Sequence, residues 1–148
     1  MKKVISAIYN SKEIKRKQHL IKILHLKSFN ILKYKPRGFG IYHMEYEIDE
    51  LEYKRLQKYI KKNNILDSDT KFSMNLLLEV LKGLGISKAG VDYYPANDRI
   101  HIPIVCETLR DLLIEYFESH DIFKGCYYFK DKTKKELIVM INLDKYIF

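Results

Sequence analysis

Apolar and polar positions recur along this chain with two periods. Tyr42, Met44, Tyr46 and Ile48 alternate with His43, Glu45 and Glu47, the period of a strand with one buried face. Upstream, Val4 to Tyr9 is a short apolar run that reads as an opening strand, and Ser11 offers an N-cap for a helix over Lys12 to Lys27. Its wheel gathers Ile14, Leu20, Ile21 and Leu24 opposite Lys12, Lys15, Arg16, His19, Lys22 and Lys27. Ile23 and Leu26 break the pattern, so the segment is there buried on two sides or already leaving the helix. Phe29 to Lys35 and Ile41 to Ile48 pair as strands across Pro36-Arg37-Gly38-Phe39-Gly40. Asp49 and Glu52 then form a capping box for a helix with Tyr53, Leu56, Tyr59 and Ile60 on its buried stripe, ending near Asn63.

After the polar stretch Asn63 to Asp69 the periods start again. Phe72, Leu76, Leu77, Val80, Leu81 and Leu84 predict a centrally placed helix that Gly83 and Gly85 terminate. Val91 to Tyr94 and Ile100 to Ile104 read as a hairpin across Pro95 to Asp98; Pro103, lacking a donor, puts the second strand at an edge or at its end. Leu109, Leu112, Leu113, Tyr116 and Phe117 form an amphipathic helix, and Cys126 to Lys130 and Glu136 to Leu143 are strands joined by Asp131 to Lys135. The last strand is apolar on both faces, which fits a central place in a sheet or pairing across a homodimer. The fold class is α+β, βαββα followed by αββαββ, with antiparallel sheet. Units 1–66 and 67–148, packed as one body, read as two ferredoxin-like (split βαβ) halves, with Asn64 to Leu66 available as a linking strand.

Composition narrows the class. With 47% hydrophobic residues and 13% aromatic ones, the chain has material for a core and is not disordered. No run approaches the roughly 18 apolar residues of a membrane span, and no signal-like segment opens the chain, so a cytoplasmic protein is expected. Cys106 and Cys126 stand in no CxxC spacing and read as unpaired core residues.

Charge changes the picture more. The chain carries +8, yet residues 1–38 hold eleven Lys or Arg against the one acid Glu13, leaving the remainder at −2. A surface that basic recruits polyanions by steering and counterion release. Within it, Lys33-Tyr34-Lys35-Pro36-Arg37-Gly38-Phe39-Gly40-Ile41-Tyr42 interleaves cations with rings, the combination that meets phosphates and stacks on unpaired bases. Arg37-Gly38-Phe39-Gly40 resembles the start of the octet of the RNA recognition motif family. That resemblance implies a phosphate contact at Arg37 and a stacking ring at Phe39; the octet's fifth and eighth positions, aromatic in the family, hold Ile41 and Met44 here.

No catalytic set emerges. His19, His25, His43, His101 and His120 stand in no zinc-binding spacing. No cofactor or metal is expected. Cys106 lies at a strand-to-helix joint five residues after His101, a place that activates some thiols but suits a small buried residue equally. The acids Glu45, Glu47, Asp49, Glu50 and Glu52 cluster without a nuclease motif. The expected function is therefore non-enzymatic binding of single-stranded or structured RNA or DNA. Its contact residues are Lys12, Lys15, Arg16 and Lys22 on the helix and Lys33, Tyr34, Lys35, Arg37, Phe39 and Tyr42 on the hairpin. The alternative is a protein-interaction or inhibitor module, of the kind viruses and mobile elements encode, that blocks a larger nucleic-acid-handling protein through the same charges.

Overall fold

The computed structural model describes residues 1–69, 72–94, 98–104, 106–120, 123–130, 133–141 and 146–147. The chain divides into two units, Met1–Thr70 and Lys71–Phe148. In the first, β1 (Lys2–Asn10), α1 (Ser11–Ile23), β2 (Asn30–Gly38), β3 (Ile41–Asp49) and α2 (Glu50–Lys62) follow one another as the sequence implies. The sheet order is β1-β3-β2, antiparallel throughout, so β1 and β2 run parallel with β3 between them. This is a split βαβ arrangement. Residues 64–66 form no strand.

The alternating side of β3 is the centre of this unit. Met44, Tyr46 and Ile48 are fully buried and pack with Ala7 and Tyr9 of β1, Ile14 and Leu20 of α1, and Leu56 and Ile60 of α2. Burying each such large side chain is worth about 1.5–3 kcal/mol. β2 lies beyond this core, and every one of its nine residues is exposed.

Two caps differ from expectation. The N-cap of α1 is Asn10, not Ser11: its side chain accepts from the Glu13 amide at 2.8 Å, and Glu13 accepts from the Asn10 amide at 3.4 Å, closing an Asn-x-x-Glu box. At α2, Asp49 caps the Leu51 amide at 2.9 Å, but Glu52 does not reach back to the Asp49 amide. Ser28 stands between them: its hydroxyl accepts from the Asp49 amide at 2.9 Å and donates to the Glu52 carboxylate. The Ser28 and Lys27 amides also donate to Glu52. These hydrogen bonds, the Ser28 hydroxyl first, hold the Glu52 carboxyl below its ordinary value.

In the second unit come β4 (Phe72–Ser73), α3 (Met74–Gly83), a 3-10 turn at Lys88–Gly90, β5 (Asp92–Tyr94), β6 (Arg99–Pro103), α4 (Glu107–Glu118), β7 (Phe123–Lys130), β8 (Lys135–Ile141) and β9 (Tyr146–Ile147). A four-stranded antiparallel sheet has the order β5-β6-β8-β7, and β4 pairs with β9 in parallel. The element order thus repeats between the halves, while the strand order does not: here two hairpins meet along β6 and β8. β8 is central, as its two apolar faces require, with Leu137, Ile138 and Val139 buried. β6 is also interior, and Pro103 is its last residue, where a missing donor costs no ladder bond. Positions 95–97 of the expected turn, 131–132 of the second connection and 142–143 of the last expected strand lie outside the described residues.

Three helices end in the same way. After α1, the Leu26 amide donates to Ile21 and the His25 amide to Lys22; Ile65 and Asn64 do this to Ile60 and Lys61 after α2, and Ile86 and Gly85 to Leu81 and Lys82 after α3. This is the Schellman closure, with its left-handed residue followed by an apolar one. The left-handed residues are His25, Asn64 and Gly85, at φ of 54°, 51° and 80°. The closure also explains the broken wheel of α1: the helix stops at Ile23, and Leu26 folds back into the core.

A Cβ is disfavoured in that conformation, so Gly85→Ala is expected to cost about 1 kcal/mol, whereas Asn64→Gly is expected to change stability by only a few tenths. Urea unfolding of both variants checks the pair.

Candidate nucleic-acid interface

The hairpin turn is built from backbone requirements. Gly38 pairs with Ile41, leaving Phe39 and Gly40 as a two-residue loop, both at positive φ, 56° and 72°, the backbone of a type I′ turn. Both glycines of the Arg37-Gly38-Phe39-Gly40 motif therefore serve the turn, and Phe39 stands at its tip, 53% exposed, rather than within a strand. The turn is tied to the helix: the Ser11 amide donates to the Gly40 carbonyl at 2.9 Å, and Asn10 pairs with Ile41. The hairpin tip and the first turn of α1 are thereby adjacent. The sequence identified these elements separately; their junction is a product of the β1–β3 register.

Of the candidate contacts, Lys12, Lys15 and Lys22 are exposed on α1, and Lys33, Tyr34, Lys35, Arg37 and Phe39 are exposed on β2 and its turn. Tyr42 is half-buried, its ring stacked on Tyr34 at 4.9 Å and 17°. Arg16 departs from the expected solvent face. It is half-buried, and its Nη1 donates to the Leu66 carbonyl at 2.8 Å. Lys27 lies beyond the end of α1.

The residue that sequence reasoning missed is Lys17. Its side chain is 2% exposed, and Nζ donates to Asp69 at 2.6 Å and to Asp67 at 3.0 Å. The Tyr9 and Tyr46 hydroxyls donate to the same Asp69 carboxylate at 2.7 and 2.9 Å, and the Asp69 amide donates to Asp67 at 2.8 Å. Nearby, the Ser68 hydroxyl donates to Glu13 at 2.6 Å. Burial alone pushes the Lys17 ammonium down, but the Asp67 and Asp69 carboxylates more than reverse this and hold it well above the ordinary lysine value. Burial also pushes Asp67 up against the pull of Lys17, with Asp69 adding to the rise. The Tyr9 and Tyr46 phenols are raised too, burial first. One cation held between two carboxylates and two phenols, closed from solvent, is a clasp for residues 67–69 and has no face to offer a ligand. The clue in the sequence was a lysine on the apolar side of the α1 wheel.

The clasp alters the surface charge. The first unit holds sixteen Lys and Arg against eight Asp and Glu, net +8, and the second eleven of each. Three of those eight acids, Glu13, Asp67 and Asp69, are nearly or fully buried, with Lys17 the sole buried base. Fifteen basic and five acidic groups remain for the outer surface of that unit.

The other candidate chemistry is accounted for locally. Glu47 pairs with Lys2 at 3.3 Å and accepts from Asn30, Asp49 and Glu52 serve the start of α2, and no group of three metal-ligating side chains occurs among the described residues. Neither cysteine is a core residue: Cys126 is half-buried, and Cys106 is exposed at the N-cap of α4 without a side-chain cap bond. The joint is open there rather than tight, and His101 lies instead beside Glu136, at 3.6 Å. No described helix is long and apolar enough to cross a membrane.

No protein-family model matches this sequence, and no curated protein matches it either. Among solved structures, the crystal structure of I-DmoI in complex with DNA and Ca is similar at a TM-score of 0.28 and 17% identity, over 97% of this chain and 70% of that one. A likeness that loose carries no argument.

Removing Lys17 leaves two carboxylates buried without a cation. Lys17→Met is expected to destabilise the first unit by about 3–5 kcal/mol, with much of the loss recovered in Lys17→Met/Asp67→Asn/Asp69→Asn, as read by chemical denaturation. Because the Asp67 carboxyl is raised, the folded chain binds that proton more tightly than the unfolded one; its contribution to stability is present below the unfolded value and falls as pH rises through the folded one. Asp67→Asn should remove that fall.

Proposed function

We propose that the first unit binds nucleic acid along the outer face of α1 and the basic, ring-bearing strand β2. The reading rests above all on one observation: the hairpin tip is hydrogen-bonded to the first turn of α1 through Ser11 and Gly40, which brings the exposed Phe39 near Lys12 at the start of the helix. Lys12, Lys15 and Lys22 lie along one side of α1, a single stripe roughly 15 Å long at 1.5 Å per residue. On β2, Lys33 and Lys35 lie on one sheet face and Tyr34 on the other, with Arg37 next to the turn and Phe39 at its tip. Cations spaced along a helix suit phosphates; exposed rings beside them suit unpaired bases, favouring single-stranded over duplex ligands. No acid or base is required in this role.

A second reading, a protein partner, is favoured by Ile31 and Leu32, which are 36% and 46% exposed on β2 and which a phosphodiester chain would not use. A stoichiometric protein that co-purifies after nuclease treatment would support it.

Fluorescence anisotropy with a labelled single-stranded oligonucleotide tests the first reading. Affinity should fall linearly on logarithmic axes with salt, and Lys12→Glu/Lys15→Glu/Lys22→Glu should weaken binding to all sequences alike and lower the slope by about 0.7 per lost contact. Wild-type protein that binds neither strand nor duplex at low salt would refute it.

A further inference from the structure

At the C-terminal end of α1 lies a shallow depression of about 620 Å³ whose polar lining includes His19, Lys22, His25 and Lys27, over the apolar Ile21 and Leu26. All four cationic or titratable side chains are exposed. The site is built by the helix closure: the left-handed residue that ends α1 is a histidine, at φ 54°, where α2 and α3 use Asn64 and Gly85. Histidine, like asparagine, tolerates that conformation, and here it delivers an imidazole three residues beyond Lys22. Of the last carbonyls of α1, Leu20, Ile21 and Lys22 accept from Leu24, Leu26 and His25, and Leu24 accepts from Arg55 Nη2 at 3.2 Å. From α2, the charged neighbours are Arg55 and Glu52, and the Glu52 carboxylate is engaged by Ser28 and the Lys27 amide.

We propose that this depression is a phosphate site, in which His19 and His25 act with Lys22 and Lys27, and that it makes anion binding proton-linked. Imidazole is the side chain whose charge changes between about pH 5 and pH 8, so a phosphate held between two of them takes up protons as it binds. The site continues the lysine stripe of α1, and its use by a nucleic-acid backbone rests on the function proposed above; its affinity for phosphate does not.

Two measurements on the full chain separate the ideas. In the first, inorganic phosphate is titrated while the imidazole NMR signals of all five histidines are followed. His19 and His25 should shift together and saturate, with His43, His101 and His120 as internal references; no selective shift overturns the site. In the second, affinity for a single-stranded oligonucleotide is compared at about pH 8 and about pH 5.5 at fixed ionic strength. Wild type should bind about tenfold more tightly at the lower pH. His19→Gln/His25→Asn, whose asparagine keeps a residue tolerant of the left-handed turn, should lose that gain and keep the affinity at the higher pH. Lys12→Glu/Lys15→Glu should weaken binding at both and keep the gain. A double-histidine variant with the wild-type pH response overturns the proposal while leaving the nucleic-acid reading intact. Phosphate shifts without any oligonucleotide binding would support the site and refute that reading.

Discussion

One buried ammonium organises the first unit. Taking Lys17, Asp67 and Asp69 out of water costs several kcal/mol per ion, and only close, fully directed partners offset this. Lys17 has them in two carboxylates, with the Tyr9 and Tyr46 hydroxyls completing Asp69. Because the phenols come from β1 and β3, the ammonium from α1 and the carboxylates from beyond α2, the cluster closes only when all these elements are in place. It makes residues 64–69, which belong to no helix or strand, an integral part of the unit, with Arg16 and Glu13 adding bonds to Leu66 and Ser68.

The same cluster shapes the electrostatics outside. By holding Glu13, Asp67 and Asp69 inward it leaves α1 with no exposed acid. β2 has no helix over it and all its residues exposed, a condition in which a strand invites pairing with other chains. Lys33, Lys35, Arg37 and Pro36 discourage that by repulsion and by a missing donor. The features that keep this edge from aggregating are also those that suit a polyanion, so protection and binding ask for the same residues.

The elements of both units were largely legible because their signals are local. Alternation in β3, the stripe of α2 and the apolar run of β8 each follow from burying one or both faces. Asn10 and Ser11 are both good caps, and the bond from the Glu13 amide decides for Asn10. The box at Asp49 is only half formed, because Ser28, far off in sequence, enters between its partners. Cys106, small and apolar enough for a core position, is exposed, and nothing local to its sequence distinguishes the two.

By itself the sequence determined the α+β class, the run of elements and the concentration of positive charge at one end, because periodicity and net charge are properties of the chain. Tertiary structure alone decided the β5-β6-β8-β7 order of the second sheet, the meeting of the hairpin tip with α1, and the division of ionisable groups between surface and interior. Lys12, Lys15 and Lys17 are indistinguishable in composition. Only the arrival of Asp67 and Asp69 across fifty residues of chain makes one of them an internal ion and leaves the other two to face solvent.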